Sequence, residues 1–262
     1  MNNALDSRDR DRYSRQLMVD SIGEDEQQAL HSSRVLVVGA GGLGSASIPY
    51  LAGAGVGTIG IADDGVVKRS NLHRQIGYRV DDVGKTKVDS VARFVEARNP
   101  AVTIEKHGIR IEPSVAESVI SSYDIVVDGL DDFTTRYLVN DVARIEDIPF
   151  VHGAVYGFEG QCTTFVPGGP CYRCLVPEPS GPAVAPAGEP IGVVGPIPGI
   201  VGCLQATEVI KYVTDIGNVL TDRLLRYDGL DATIDRIPIE RSPNCPLCGD
   251  GEIDTIDDMN YR

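Results

Sequence analysis

Lysine is scarce in this 262-residue chain: only five of its 24 basic side chains are Lys, against 38 Asp and Glu. The formal net charge is −14 and the pI is about 4.6. So acidic a surface argues against a nucleic-acid binder, whose affinity rests on Lys and Arg releasing counterions from phosphates. An excess of Asp over Lys fits a cytoplasm rich in salt, where screening relieves the self-repulsion. The N-terminal residues MNNALDSRDRDRYSRQL are charged and lack the apolar core of a secretory leader, so a cytoplasmic location is expected. No internal repeat is evident. The uncharged stretch from Val35 to Ala62 is broken by eight glycines and Pro49, which excludes reading it as a membrane span. With 42% hydrophobic residues, there is enough apolar material for a sizeable core.

Strand patterns alternate with helical ones through the first half. RVLVVG (34–39), TIGIAD (58–63), VTIEKH (102–107) and YDIVVDG (123–129) read as buried parallel strands. Helical patterns begin near Gly42, Lys85, Ser114 and Thr134. The expected fold is α/β and Rossmann-like, a mainly parallel sheet with helices on both faces. The second half adds an antiparallel extension. A hairpin spans 149–167 with its turn near Gly157–Gly160, and strands follow at 223–229 and 233–239. Between them, a Pro- and Gly-rich loop covers 177–199 and a helix covers 200–213. One domain is expected: a helical arm (1–30), a nucleotide-binding half (31–150), a partner-binding and metal half (151–248), and an acidic tail (249–262) that frays.

Gly39-Ala40-Gly41-Gly42-Leu43-Gly44 follows a strand and opens a helix, the arrangement that cradles phosphate on backbone N–H groups. Asp63 ends the next strand about twenty residues on, where a carboxylate can hold a ribose hydroxyl. This fingerprint alone says only nucleotide. Asn71, Arg74, Gln75, Lys85 and Lys87 follow, and three of the five lysines fall at 68, 85 and 87. That concentration in an acidic chain points to a triphosphate rather than a nicotinamide ring. Asp131 and Asp132 follow the fourth strand, at the sheet edge where ligands bind, and a carboxylate there suits Mg²⁺. Cys171-Tyr172-Arg173-Cys174 and Cys245-Pro246-Leu247-Cys248 supply four thiolates for a closed zinc site, with a redox pair as the competing reading. Cys162 and Cys203 lie in regular elements and read as buried, inert thiols.

Further matching segments are Arg12-Tyr13-Ser14-Arg15-Gln16, Ser70-Asn71-Leu72-His73-Arg74-Gln75 and Val83-Gly84-Lys85-Thr86-Lys87. Asp131-Asp132-Phe133-Thr134-Thr135-Arg136 and Leu204-Gln205-Ala206-Thr207-Glu208 continue the order. With the glycine loop and the knuckles, they make nearly the whole chain resemble the MoeB/ThiF/HesA family, prokaryotic relatives of ubiquitin-activating enzymes, in an archaeal, halophilic form. The resemblance implies a homodimer that uses ATP and Mg²⁺ to adenylate the C-terminal Gly-Gly carboxylate of a ubiquitin-like sulfur carrier, for sulfur transfer or protein tagging. It implies that Gly39, Gly41, Gly42 and Gly44 wrap the phosphates and that Asp63 holds the ribose. Asn71, Arg74, Gln75 and Lys87 would contact the nucleotide, Asp131 the Mg²⁺, and Arg15 the partner subunit's ATP. Cys171, Cys174, Cys245 and Cys248 would be the zinc ligands. A tRNA-modification carboxylate of the threonylcarbamoyl type is an alternative substrate, and a non-catalytic carrier-binding homologue an alternative role.

Three positions depart from the family pattern. Gly65 stands where Asp is usual, Asp132 where Asn is frequent, and Gly188 where many members have a cysteine in the crossover loop. The chain has no room for an appended rhodanese domain. The charge balance yields the first prediction: the unfolding midpoint rises markedly between low and molar KCl. A flat or falling profile in thermal melts would defeat the halophilic reading and leave the enzymatic one intact.

Overall fold

The computed structural model describes residues 5–177 and 192–249, with 253, 255, 256 and 261. Four parallel strands form one half of the sheet: the aliphatic β1 (Arg34–Val38), β2 (Thr58–Ala62) and β4 (Ile125–Asp128), and at the edge β3 (Thr103–His107), whose TIEKH run is partly exposed rather than buried as expected. β5 (Phe150–Tyr156) adds a fifth parallel strand beside β4. β6 (Glu159–Phe165), β7 (Arg223–Asp228) and β8 (Thr233–Pro238) then continue antiparallel. The order in the eight-stranded sheet is β3-β2-β1-β4-β5-β6-β7-β8. The chain therefore leaves β1 in one direction and returns to its other side at β4. That reversal opens a crevice at the carboxyl ends of β1 and β4, where such sheets bind ligands.

Alternation along each strand divides the core. Val35 and Val37 face one layer, which holds Leu30 of α3 (Glu24–Ser32), Ile48 and Leu51 of α4 (Gly44–Ala54), and Val201 and Val209 of the long C-terminal helix. Val91 of α5 (Lys87–Glu96) packs in the same layer. Leu36 and Val38 face the other layer, against Ile120 of α6 (Pro113–Ile120) and Leu138 and Val142 of α7 (Phe133–Ile145). Both faces are thus covered, as expected for a parallel sheet. The two short N-terminal helices, α1 (Ser7–Arg12) and α2 (Ser14–Leu17), dock at the far end of α4. There Gly55 is left-handed (φ 88°), and a Cβ on it would lie 2.8 Å from the Tyr13 hydroxyl, so only glycine lets the arm approach.

Two boundaries differ from expectation. The helix expected over 200–213 is α9 (Pro196–Thr214), preceded in the chain by the short α8 (Tyr172–Leu175). Pro196 and Pro198 sit in its first turn, where their missing N–H groups have no intrahelical partner to lose. In the tail, two described residues make contacts with the body of the protein. Ile256 packs on the α7 layer, and the Tyr261 hydroxyl donates to the buried Asp141 carboxylate at 2.9 Å. Residues 178–191, including Gly188, and most of the tail lie outside the described residues. No helix among the described residues is long and apolar enough to cross a membrane.

Burial and the Asp141 charge push the Tyr261 phenol well above its usual range, so it stays a donor at any working pH. Tyr261→Phe is expected to lower the unfolding free energy by about 1–2 kcal/mol, the loss of one hydrogen bond to a charged acceptor. Denaturant titration at fixed KCl checks this, and an unchanged midpoint would mean the contact contributes nothing in solution.

Candidate functional site

β1 ends at Val38 and α4 begins at Gly44, so the glycine loop bridges strand and helix at the crevice. Gly39 is left-handed (φ 98°), and a Cβ on it would lie 2.4 Å from the Gly129 carbonyl. A Cβ on Gly44 would lie 2.2 Å from the Gly39 carbonyl. Backbone meets backbone at both places, which explains glycine there in steric terms. Among the described residues, the amides of Gly41 and Gly42 donate to no group of the chain. Free amides at the positive end of an eleven-residue helix suit an anion.

Asp63 ties this loop to the rest of the site. Its Oδ2 accepts from the Ala40 amide at 2.8 Å and from Lys87 Nζ at 3.0 Å, while Oδ1 accepts from the Gly65 amide at 2.7 Å. A Cβ on Gly65 would lie 2.9 Å from that same Oδ1, so the departure from Asp at this position relieves crowding around the carboxylate. The structure brings Arg74 and Gln75 to the loop as well: the Arg74 stem lies against Gly42, and the buried Gln75 amide against Gly41. The Gln75 carbonyl oxygen is buried without a hydrogen-bond partner, leaving an acceptor free for a bound group. Asn71 spends its side-chain oxygen on the Lys68 amide at 2.9 Å, closing the turn that carries Arg74. Asp131 is exposed, two residues beyond Gly129.

Two basic residues stand apart from the loop. Lys85 pairs with Asp82 at 3.5 Å, alongside Arg93, and does not join the loop. Arg15 is exposed on α2, whose Gln16 bonds to Ala54 at the opposite end of α4 from the glycines. At about 1.5 Å per residue, that helix places Arg15 roughly 15 Å from its own chain's loop. Cys203 is half-buried rather than enclosed, because α9 turns that face outward; Cys162 is fully buried in β6.

Sequence reasoning missed a buried polar network behind the site. Asp128 Oδ2 accepts from Arg136 Nε and from His152 Nδ1, each at 2.7 Å, and its Oδ1 accepts from the Leu130 amide at 3.0 Å. Burial opposes the Asp128 charge, but Arg136 and His152 outweigh it and hold the carboxyl below the usual range. Burial keeps the His152 imidazole neutral, pushing its pKa down against the pull of Asp128. With Nδ1 carrying the proton, Nε2 is the acceptor facing Gln161 Nε2 at 3.2 Å. No spacing rule joins residues 128, 136, 152 and 161, which only the packing of α7 on the sheet brings together.

The four knuckle cysteines converge as expected. Their sulfurs all lie within 4.8 Å of one another, with Cys171–Cys245 at 3.6 Å and Cys174–Cys248 at 3.3 Å. A disulfide would need about 2.05 Å, whereas tetrahedral zinc at about 2.3 Å from each sulfur spaces them roughly 3.8 Å apart. The convergence of four sulfurs, none of them disulfide-bonded, is a donor set that fits zinc. Burial, then the neighbouring sulfurs, push the Cys171 thiol up, and a divalent cation is what allows four thiolates so close together. α7 holds the first knuckle: Asn140 Oδ1 accepts the Tyr172 amide at 2.8 Å, and Asp141 receives Arg173 Nη2 at 2.6 Å. Because the ion would join segments more than seventy residues apart, chelation is expected to lower the unfolding midpoint. Cys248→Ala should do the same, with zinc falling from about one per chain toward none. Four freely titrating thiols at unchanged stability would rule zinc out.

Residues 13–247 match the model of the ThiF family. A protein of Haloferax volcanii named SAMP-activating enzyme E1 is 51% identical over 258 residues, covering 98% of this chain and 96% of that protein. The sulfur carrier protein adenylyltransferase of Thermus thermophilus is 43% identical over 246 residues, covering 92% of this chain and 91% of its own. Among solved structures, E. coli MccB with MccA-N7isoASN superposes with a TM-score of 0.82 over 91% of this chain and 75% of that one. At 24% identity, that likeness speaks for the fold alone. The strand order, the glycine loop at the crevice and these matches together establish that the chain belongs to the ThiF family.

Proposed function

We propose that this chain is an adenylyltransferase that activates the C-terminal Gly-Gly carboxylate of a ubiquitin-like sulfur carrier with ATP. The observation that carries the reading is the convergence at one crevice of unsatisfied loop amides with Asp63, Lys87 and Arg74. The names of the Haloferax and Thermus relatives support the substrate class. Residues 31–150 do the nucleotide work, and 151–248 hold the zinc and receive the carrier.

In this reading the loop amides of Gly41 and Gly42 hold phosphate oxygens, with Gly39 and Gly44 permitting the turn, and Asp63 holds the ribose. Asn71, Arg74, Gln75 and Lys87 line the nucleotide. Asp131 is the carboxylate for Mg²⁺, which suits a hard oxygen ligand and supplies charge neutralisation when bound. A carrier carboxylate oxygen forms a bond to the α-phosphorus, the bond from that phosphorus to the bridging oxygen breaks, and pyrophosphate leaves with the electron pair. The protein's part is positioning and stabilising charge rather than covalent chemistry. Lys87 is held on Asp63 before any nucleotide arrives, so its direction is set in advance. The distance of Arg15 from its own loop supports a homodimer in which it serves the neighbouring site.

The experiment is ATP–pyrophosphate exchange against a panel of Gly-Gly-terminated ubiquitin-fold proteins. One carrier should drive exchange, and Lys87→Ala should reduce it by about a hundredfold or more, the loss of a charged contact to the reacting phosphates. With Gly188 at the crossover position, no thiol-labile enzyme–carrier conjugate should appear on a non-reducing gel. Exchange with no member of the panel, or an unaffected Lys87→Ala protein, would sink the reading.

A further inference from the structure

Asp128 and His152 are fully buried and Arg136 nearly so, directly behind the crevice. Taking the charges of Asp128 and Arg136 out of water is costly, and apolar residues of similar volume commonly serve stability as well or better. What apolar packing cannot supply is direction. Here the polar atoms act on one short stretch of backbone. Leu130 is gripped at both ends: its amide donates to Asp128 Oδ1 at 3.0 Å, and its carbonyl accepts from Arg136 Nη2. The Asp128 carbonyl accepts from Gln205 Nε2 at 2.7 Å. Between them the Gly129 amide donates to the Val38 carbonyl at 2.7 Å, and a Cβ on Gly129 would lie 2.3 Å from the Gly39 carbonyl. The next residue in the chain is Asp131, which has no ion-pair partner among the described residues.

We propose that Asp128, Arg136 and His152 form a positioning unit that sets the turn 128–131, aiming Asp131 and seating the glycine loop without touching the nucleotide. This rests on the assignment of that loop and Asp131 to metal-bound ATP. The two outer members act through different hydrogen bonds. Arg136 spans Asp128 and Leu130 with two nitrogens of one planar fork, a geometry that a lysine ammonium cannot reproduce. His152 contributes a single Nδ1–H that fixes one carboxylate oxygen. An asparagine can offer an amide N–H from nearly the same place, whereas leucine fills the volume and offers none.

The test is calorimetry on the full-length, zinc-loaded protein at fixed KCl. Mn²⁺ is titrated into protein saturated with a non-hydrolysable ATP analogue, and separately the analogue alone is titrated in EDTA. His152→Leu and Arg136→Lys are expected to weaken both affinities by about tenfold at full zinc content, with His152→Asn within about threefold of the unaltered protein. Both affinities unchanged in His152→Leu and Arg136→Lys would overturn the proposal. So would a His152→Asn protein as impaired as His152→Leu, because the hydrogen bond would then not matter. If His152→Leu does not fold, Arg136→Lys decides by the same criterion. Asp131→Asn separates the two readings: an unchanged Mn²⁺ affinity there defeats the metal assignment, and the EDTA titration still judges the positioning unit through the glycine loop.

Discussion

The buried carboxylate of Asp128 is the charge around which the centre of the molecule is arranged. It needs partners on every side, and those partners come from α7, β5 and the turn that follows β4. α7 supplies more than Arg136. At helical spacing along one side it presents Asp132, which caps its own first turn, then Arg136, then Asn140. One position further round, Tyr137 donates to the Val176 carbonyl at 2.7 Å, and Asp141 binds Arg173. A single helix thus fixes the crevice turn at its start and the first cysteine knuckle near its end. The four-cysteine cluster and the crevice are two ends of one connection, which would be a reason for a structural metal to sit at that place.

The same logic separates what was legible in the sequence from what was not. Glycines with a steric obligation, a carboxylate at a strand end and paired cysteines all have local signatures, and each fell where expected. The strand runs were legible too, since β1, β2 and β4 fall within the apolar stretches 34–39, 58–63 and 123–129. Groups whose partners are distant left no such trace. His152 sits in an otherwise apolar strand run, and nothing nearby announces Asp128 as its acceptor. Tyr261 read as part of a solvated acidic tail because its acceptor, Asp141, is 120 residues away. The basic concentration that included Lys85 and Lys87 divides in the fold: Lys87 opens α5 beside Asp63, while Lys85 is taken by Asp82. Proximity in a loop is weaker evidence than attachment to an element.

Net charge places a further demand on the site. A surface at −14 repels a triphosphate, and in low salt that repulsion would oppose binding at long range. At molar salt the screening length is only about 3 Å. Repulsion is then removed, but so is any steering by distant lysines, and only groups in contact with the ligand still act. A protein working under those conditions gains nothing from a broad basic patch. It must instead place a few cations at contact distance and hold them there. Lys87 fits that requirement: its side chain is 18% exposed and lies 3.0 Å from a carboxylate that is 8% exposed, where screening ions penetrate poorly. In such an environment the scarcity of lysine elsewhere and the fixing of this one on Asp63 would answer one demand, since a site that cannot attract from afar depends on being correctly shaped before its ligand arrives.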